Sequence, residues 1–181
     1  MHRIVVGISS LEQHQATLST NPERYRPASC PHCGNGTLWG HGSYERKADR
    51  IGRGPESANP VDVPRYLCGG GSGCGGTCSR LPECIAPRRW YDWLVQQLYL
   101  RVWFLGERVD APAPWPVPAR RTLGRWRDWL KERSGVFRFH LTSRFAELGR
   151  LADDVDYWCR VFDTMGLTGA MAWVDREKSV P

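Results

Sequence analysis

Six of the chain's seven cysteines fall between residues 30 and 84, and four of them crowd into Cys68-Gly-Gly-Gly-Ser-Gly-Cys74-Gly-Gly-Thr-Cys78-Ser-Arg-Leu-Pro-Glu-Cys84. This stretch constrains the fold more than any other. From Cys30 to Cys84 the chain is turn-rich, with only two short strand-like pieces, Thr37 to Tyr44 and Val61 to Leu67, so it buries too little apolar surface to fold unaided. An odd number of cysteines in short spacings points to a metal rather than to a disulfide framework. Cys30-Pro-His-Cys33-Gly34 has the form of a zinc knuckle. Two thiolates two residues apart chelate one ion, and the following glycine permits the turn that aims backbone amides at sulfur.

One knuckle supplies half a tetrahedron. For the other half, Cys68, Cys74, Cys78 and Cys84 compete for two places. Cys68 with Cys74 leaves five intervening residues, spanned by flexible glycines; Cys74 with Cys78 leaves three. His32 and His41 are weaker candidates, because a histidine inside a knuckle usually points outward. A four-cysteine site has no open coordination position, so one zinc ion here is expected to be structural and to fold residues 28 to 84 around itself. Cys159 reads as a small buried hydrophobe rather than a reactive thiol.

The flanking segments are different in kind. His2 to Ile8 reads as a strand, with Ser9 or Ser10 capping a helix to about Ser19. Arg88 to Leu105 reads as an apolar helix. Ala111-Pro-Ala-Pro-Trp-Pro-Val-Pro118 cannot be helical, since alternating prolines remove donors and extend their predecessors. Arg120 to Arg133 resumes helical spacing, with Leu123, Trp126, Trp129 and Leu130 on one face and Arg121, Arg125 and Asp128 on the other. Two further helices are expected, at about His140 to Leu151 and Asp154 to Met165. The fold class is α+β, mostly α. Its expected parts are an N-terminal strand and helix (1–27), a small β zinc ribbon (28–87), a helix-turn-helix-like region with the Pro-rich linker 111–118 (88–135), and a C-terminal helical region (136–181).

Charge is unevenly placed. The net +6 of the chain arises in residues 88–150, which hold 13 Lys or Arg against 6 Asp or Glu, whereas residues 151–181 hold 3 against 6. Nearly all of the excess is arginine, whose planar fork suits phosphate and guanine edges. The most apolar run, Trp90 to Leu105, contains Asp92, Gln96, Gln97 and Arg101 and is too short to span a bilayer. Met1 to Ile8 lacks the length of a secretory signal. The expected location is therefore the cytoplasm, in association with the nucleoid, with no membrane partner.

Arg24-Tyr-Arg-Pro-Ala-Ser-Cys-Pro-His-Cys-Gly34, Leu38-Trp-Gly-His-Gly-Ser-Tyr44, Val63-Pro-Arg-Tyr-Leu-Cys68, Thr77-Cys-Ser-Arg-Leu-Pro82 and Pro87-Arg-Arg-Trp-Tyr91 together resemble the zinc-ribbon segment of bacterial insertion-sequence transposases and their small accessory proteins. In that family a ribbon precedes a helix-turn-helix. The resemblance implies Cys30, Cys33, Cys68 and Cys74 as ligands, because Thr77-Cys-Ser is similar to the family's strand just after its last ligand, and it leaves Cys78 and Cys84 as non-ligands. Two departures stand out: Gly69 to Gly73 lengthens the second knuckle, and Ala-Pro-Ala-Pro-Trp-Pro occupies the neighbourhood of Arg108 to Trp115, where the motif's first helix belongs.

The expected function is DNA binding for a mobile element. Arg121, Thr122 and Arg125 would read bases from a helix in the major groove, and Arg88, Arg89, Arg120, Arg127 and Lys131 would contact phosphates. Trp126 and Trp129 share the face of Leu123 and Leu130 and belong to the core. No catalysis is expected, because the residues after 135 leave no room for the mixed sheet that holds two metals in a strand-transfer domain, and Asp153, Asp154 and Asp156 read as a helix cap. Partners are double-stranded DNA and a separate transposase. The alternatives are a protein-interaction adaptor for such a transposase and a rubredoxin-like electron-transfer module.

Overall fold

The computed structural model describes residues 1–34, 37–52, 54–71, 73–87, 90–106 and 117–177. The fold is α+β, and the chain divides into two compact units, Met1–Trp90 and Tyr91–Lys178.

The first unit is built on a four-stranded mixed sheet of β1 (His2–Val5), β2 (Thr37–Arg46), β3 (Val61–Gly69) and β4 (Thr77–Pro82), in the order β1-β4-β3-β2. The two strand-like pieces seen in the sequence pair as an antiparallel ribbon, with Leu38 opposite Cys68 and Arg46 opposite Val61. The register slips between Gly40 and Ser43, where Gly42 takes φ +71°, a conformation that favours glycine. β4 lies between β3 and β1, antiparallel to the first and parallel to the second, with His2 opposite Ser79 and Val5 opposite Pro82. The N-terminal strand and the cysteine-rich segment therefore share one sheet. That central placement explains why Cys78, Ser79, Leu81 and Pro82 are buried on both faces.

Helix α1 (Leu11–Thr20) starts where Ser10 accepts a hydrogen bond from the Gln13 amide at 3.1 Å. It buries His14 completely. His14 Nε2 lies 2.7 Å from the Asp62 carbonyl oxygen, which can only accept, so Nε2 carries the proton and Nδ1 accepts from the buried Tyr25 hydroxyl. Around this pair Val5, Ile8, Leu38 and Tyr66 pack with Cys30, Cys68 and Cys78, and Val61, Val63, Leu81 and Ile85 form a second cluster.

The second unit is helical. In α2 (Trp93–Leu105) Asp92 caps the start by accepting from the Val95 amide at 2.8 Å, and Gly106 at φ +69° ends it. α3 (Arg120–Arg144) is one uninterrupted helix of 25 residues. This corrects the expectation of a helix ending at Arg133 and another over His140 to Leu151: His140–Arg144 complete α3, and Ala146–Arg150 form a 3-10 turn. The reason is a buried stripe, Trp126, Leu130, Ser134, Phe137 and Leu141, that continues at helical spacing through the Ser134-Gly135 pair. Ser134 is tolerated in it because its hydroxyl accepts from the Trp158 indole at 3.0 Å. α4 (Asp154–Thr164) begins as expected, with the Asp153 carboxylate accepting from the Val155 and Asp156 amides. α5 (Gly166–Glu177), unforeseen in the sequence, opens with the Leu167 amide donating to Gln97 Oε1 at 2.6 Å. Cys159 is half-buried rather than buried, and burial pushes its thiol pKa up.

Among the described residues no helix is long and apolar enough to cross a membrane. Arg108–Trp115 and most of the linker 111–118 lie outside the described residues, as do Arg88 and Arg89.

Candidate metal centre

Two turns bring sulfur together. After Cys30 the chain folds back so that the Gly34 amide donates to the Cys30 carbonyl at 2.8 Å, with Gly34 at φ +74°. At the end of β3 the Gly75 amide donates to the Cys68 carbonyl at 3.1 Å, and the Cys68 amide donates to the Gly76 carbonyl at 2.9 Å. The glycines here satisfy close contacts as well as turns. A Cβ on Gly76 would stand 2.9 Å from the His32 ring and 3.1 Å from the Cys74 sulfur, so this loop closes only around a residue without a side chain.

The sulfurs of Cys30, Cys33, Cys68 and Cys74 consequently lie within 4.8 Å of one another. Cys30 Sγ is 3.7 Å from Cys74 Sγ and Cys33 Sγ is 3.8 Å from Cys68 Sγ. Those distances are too long for a disulfide, whose sulfurs sit about 2.05 Å apart. They match the edges of a tetrahedron, because four thiolates about 2.3 Å from a central ion are separated by about 3.8 Å. The choice that spacing left open is thereby made. Cys68 and Cys74 complete the set, while Cys78 sits in the hydrophobic core, its thiol pKa raised by burial, and Cys84, outside the set, packs half-buried against the second core cluster.

The electrostatics suit a cation. Burial opposes ionisation of Cys30, but the amides of Cys33 and His32 and the neighbouring thiols outweigh it and bring its thiol down to about 6. At Cys68 the Cys74 amide favours the thiolate, yet burial and the thiols of Cys30, Cys33 and Cys74 override it and hold the group up at about 12. The first thiolate forms readily and later ones are disfavoured by their neighbours, a conflict that a shared divalent ion removes. The four cysteines can therefore bind a metal ion, and four protein sulfurs around a tetrahedral ion leave no position for water or substrate.

Neither histidine is a member of the cluster. His32 turns outward, as expected, and its Nε2 lies 3.0 Å from the Thr77 carbonyl oxygen, which ties the first knuckle to β4. Trp39 is a feature that sequence reasoning missed: 58% exposed, it sets the Cδ1–Nε1 edge of its indole against Gly69, where a Cβ would come within 2.7 Å of the ring. The contact places a solvent-exposed aromatic ring against the residue that follows Cys68.

The arginines expected to meet DNA are in the second unit or outside the described residues. Arg120, Arg121, Arg125, Arg127 and Lys131 are exposed on α3 and Thr122 is half-buried, while Trp126 and Leu130 are buried as core residues and Trp129 is half-buried. Arg127 pairs with Asp128 at 2.8 Å and its guanidinium lies 5.9 Å from the Trp103 ring centre. Among the described residues Arg120, Arg121 and Arg125 form no ion pair, and Ala119 gives the helix start no side-chain cap. Asp153, Asp154 and Asp156 act as helix-start groups, with Asp154 also paired to Arg138.

Set against known proteins, the chain matches no family model, no curated protein and no solved structure.

Proposed function

We propose that the chain is a DNA-binding protein of a bacterial mobile element, transposase-related or a transposition accessory factor, in which one zinc ion stabilises a ribbon and α3 meets the duplex. In this reading the protein is not itself an enzyme. The observation that carries it is the charge at the start of α3. Arg120 and Arg121 lie in the first turn, where the helix dipole is already positive and no acidic residue stands, and Arg125 follows one turn on. Each such cation costs a helix roughly 0.3–1 kcal/mol. Nothing within the helix compensates, so the arrangement is favourable only when an external polyanion approaches, and phosphate is the anion that arginine forks and free helix-start amides hold together.

The four-thiolate cluster supports the zinc ribbon in kind, since a closed sulfur tetrahedron is the form of a structural zinc site. The outward face divides by role. Arg121, Thr122 and Arg125 read bases, and Arg120, Arg127 and Lys131, with Arg88 and Arg89, position the backbone.

The test is binding of the purified protein to labelled duplexes bearing the ends of the neighbouring genetic element, against scrambled DNA, across a salt series. Tighter binding to the ends is expected, with Arg121→Ala or Arg125→Ala reducing that preference and Lys131→Ala weakening all duplexes alike. Equal losses on every duplex from all three variants would remove the base-reading assignment. Absence of binding at low salt would remove the function.

A further inference from the structure

α2 and the beginning of α3 line a pocket of about 390 Å³ whose aromatic wall the duplex-binding reading leaves unused. Among the described residues its walls include Tyr99 and Trp103 from α2 and Arg120, Leu123, Trp126 and Arg127 from α3. We propose that this cavity is a binding site for a planar aromatic phosphate the size of a single nucleotide.

Each part of that ligand follows from a part of the wall. The aromatic surfaces come from both helices: the Tyr99 and Trp126 rings are 6.5 Å apart, and Trp103 is 45% exposed despite its size. Flat π-faces are matched by a flat ring, and nucleobases stack on them whatever their identity. The anion is set by the helix start. Arg120 forms no ion pair among the described residues, and the first turn of α3 has neither a side-chain cap nor an acidic residue. A phosphate there meets free amides, the positive end of the dipole and a guanidinium together. Arg127, already shared between Asp128 and the Trp103 ring, lends the second charge from farther along the helix.

A third observation favours polar atoms on the ring. Tyr99 is only 8% exposed, yet among the described residues its hydroxyl has no hydrogen-bond partner. A buried hydroxyl without a partner carries its full desolvation cost. Burial raises its pKa, so it remains a neutral phenol able to donate to a ring nitrogen or accept from an exocyclic amine. Size sets the upper limit. The volume lies at the small end of the ~300–1,000 Å³ range of ligand sites, enough for one base with its sugar.

The site shares Arg120 and Arg127 with the proposed backbone contacts, whereas base reading rests on Arg121 and Arg125. Calorimetric titration of the full chain with deoxyadenosine monophosphate, deoxyadenosine, inorganic phosphate and a 5′-phosphorylated trinucleotide tests it. One mononucleotide per chain is expected, bound more tightly than the nucleoside or phosphate alone. Arg120→Ala should weaken it about tenfold or more, and Tyr99→Phe, which removes one oxygen and keeps the ring, about fivefold. Arg150→Ala, an equal loss of charge from an exposed turn, should leave it unchanged. Tighter trinucleotide binding would place the ligand at a strand end, and equal or weaker binding would make it a free nucleotide. Tyr99→Phe should leave duplex affinity unaltered, which separates this site from the duplex-binding face. The inference is overturned if no mononucleotide binds at millimolar concentration, if phosphate alone binds equally well, or if Arg150→Ala is as damaging as Arg120→Ala.

Discussion

Replacing Cys33 by serine separates the metal's contribution from that of packing. Cys30 and Cys68 are buried in the core cluster, so their loss would confound coordination with a cavity; Cys33 is exposed and fills no interior space. An exposed substitution of this size changes stability by about ±0.5 kcal/mol by itself. Coordination is larger. The sulfur edges of 3.7 and 3.8 Å are those of a four-thiolate tetrahedron, and a structural zinc of that kind contributes roughly 10–16 kcal/mol of apparent binding energy at neutral pH. A domain's whole stability is about 5–15 kcal/mol. Loss of one ligand should therefore cost the first unit most of its folding free energy, although no core atom has been removed. The expected result is purified wild type carrying one zinc per chain by elemental analysis and the Cys33→Ser variant carrying much less. Thermal melts followed by circular dichroism should show the first unit's transition lost or lowered by tens of degrees, and chelation of the wild type should reproduce it. A Cys33→Ser protein with an unchanged melt would refute a structural metal, and an intensely coloured preparation would replace zinc by iron.

Two further outcomes are expected. Burial lowers the pKa of His14 below the ordinary value of about 6.5, so the unfolded chain takes up a proton that the folded one refuses. The stability this confers is complete above that value and is lost as pH falls through the depressed one, hence His14→Gln should melt lower at pH 7 yet show a flatter loss between pH 7 and 5. A slope identical to wild type would exclude His14 as the titrating group. Leu141, wholly buried, closes the stripe on α3; Leu141→Ala should destabilise the second unit by about 2–5 kcal/mol in denaturant, and an unchanged midpoint would argue against a continuous helix.

What could be read from the sequence was whatever short-range chemistry decides. Ser10 and Asp153 cap helices because their carboxylate or hydroxyl reaches amides two or three residues on, and the Cys30-Cys33 knuckle is equally local. Spacing alone left Cys68, Cys74, Cys78 and Cys84 in competition, since a glycine loop sets no direction; the family resemblance favoured the first two, and it is β4's place in the sheet that takes Cys78 into the core. Long-range partners were hidden. Ser134-Gly135 has the composition of a stop, and distant partners, the Trp158 indole 24 residues away and the Asp154 carboxylate 20 away, make Ser134 acceptable inside α3. α5 depends likewise on Gln97, 70 residues earlier.

The parallel pairing of β1 with β4 has a consequence for synthesis on the ribosome. His2 leaves the exit tunnel long before Ser79, its partner in the register, so β1 emerges with both edges unpaired. Cys74 is made before β4 begins at Thr77. The thiolate cluster can thus close on an ion while the sheet is still missing its central strand, and β4 then slides into a slot whose one wall, β3, the metal has already fixed. Chains made without an ion would be expected to linger at that stage, with the edge of β3 open to aggregation rather than to β4.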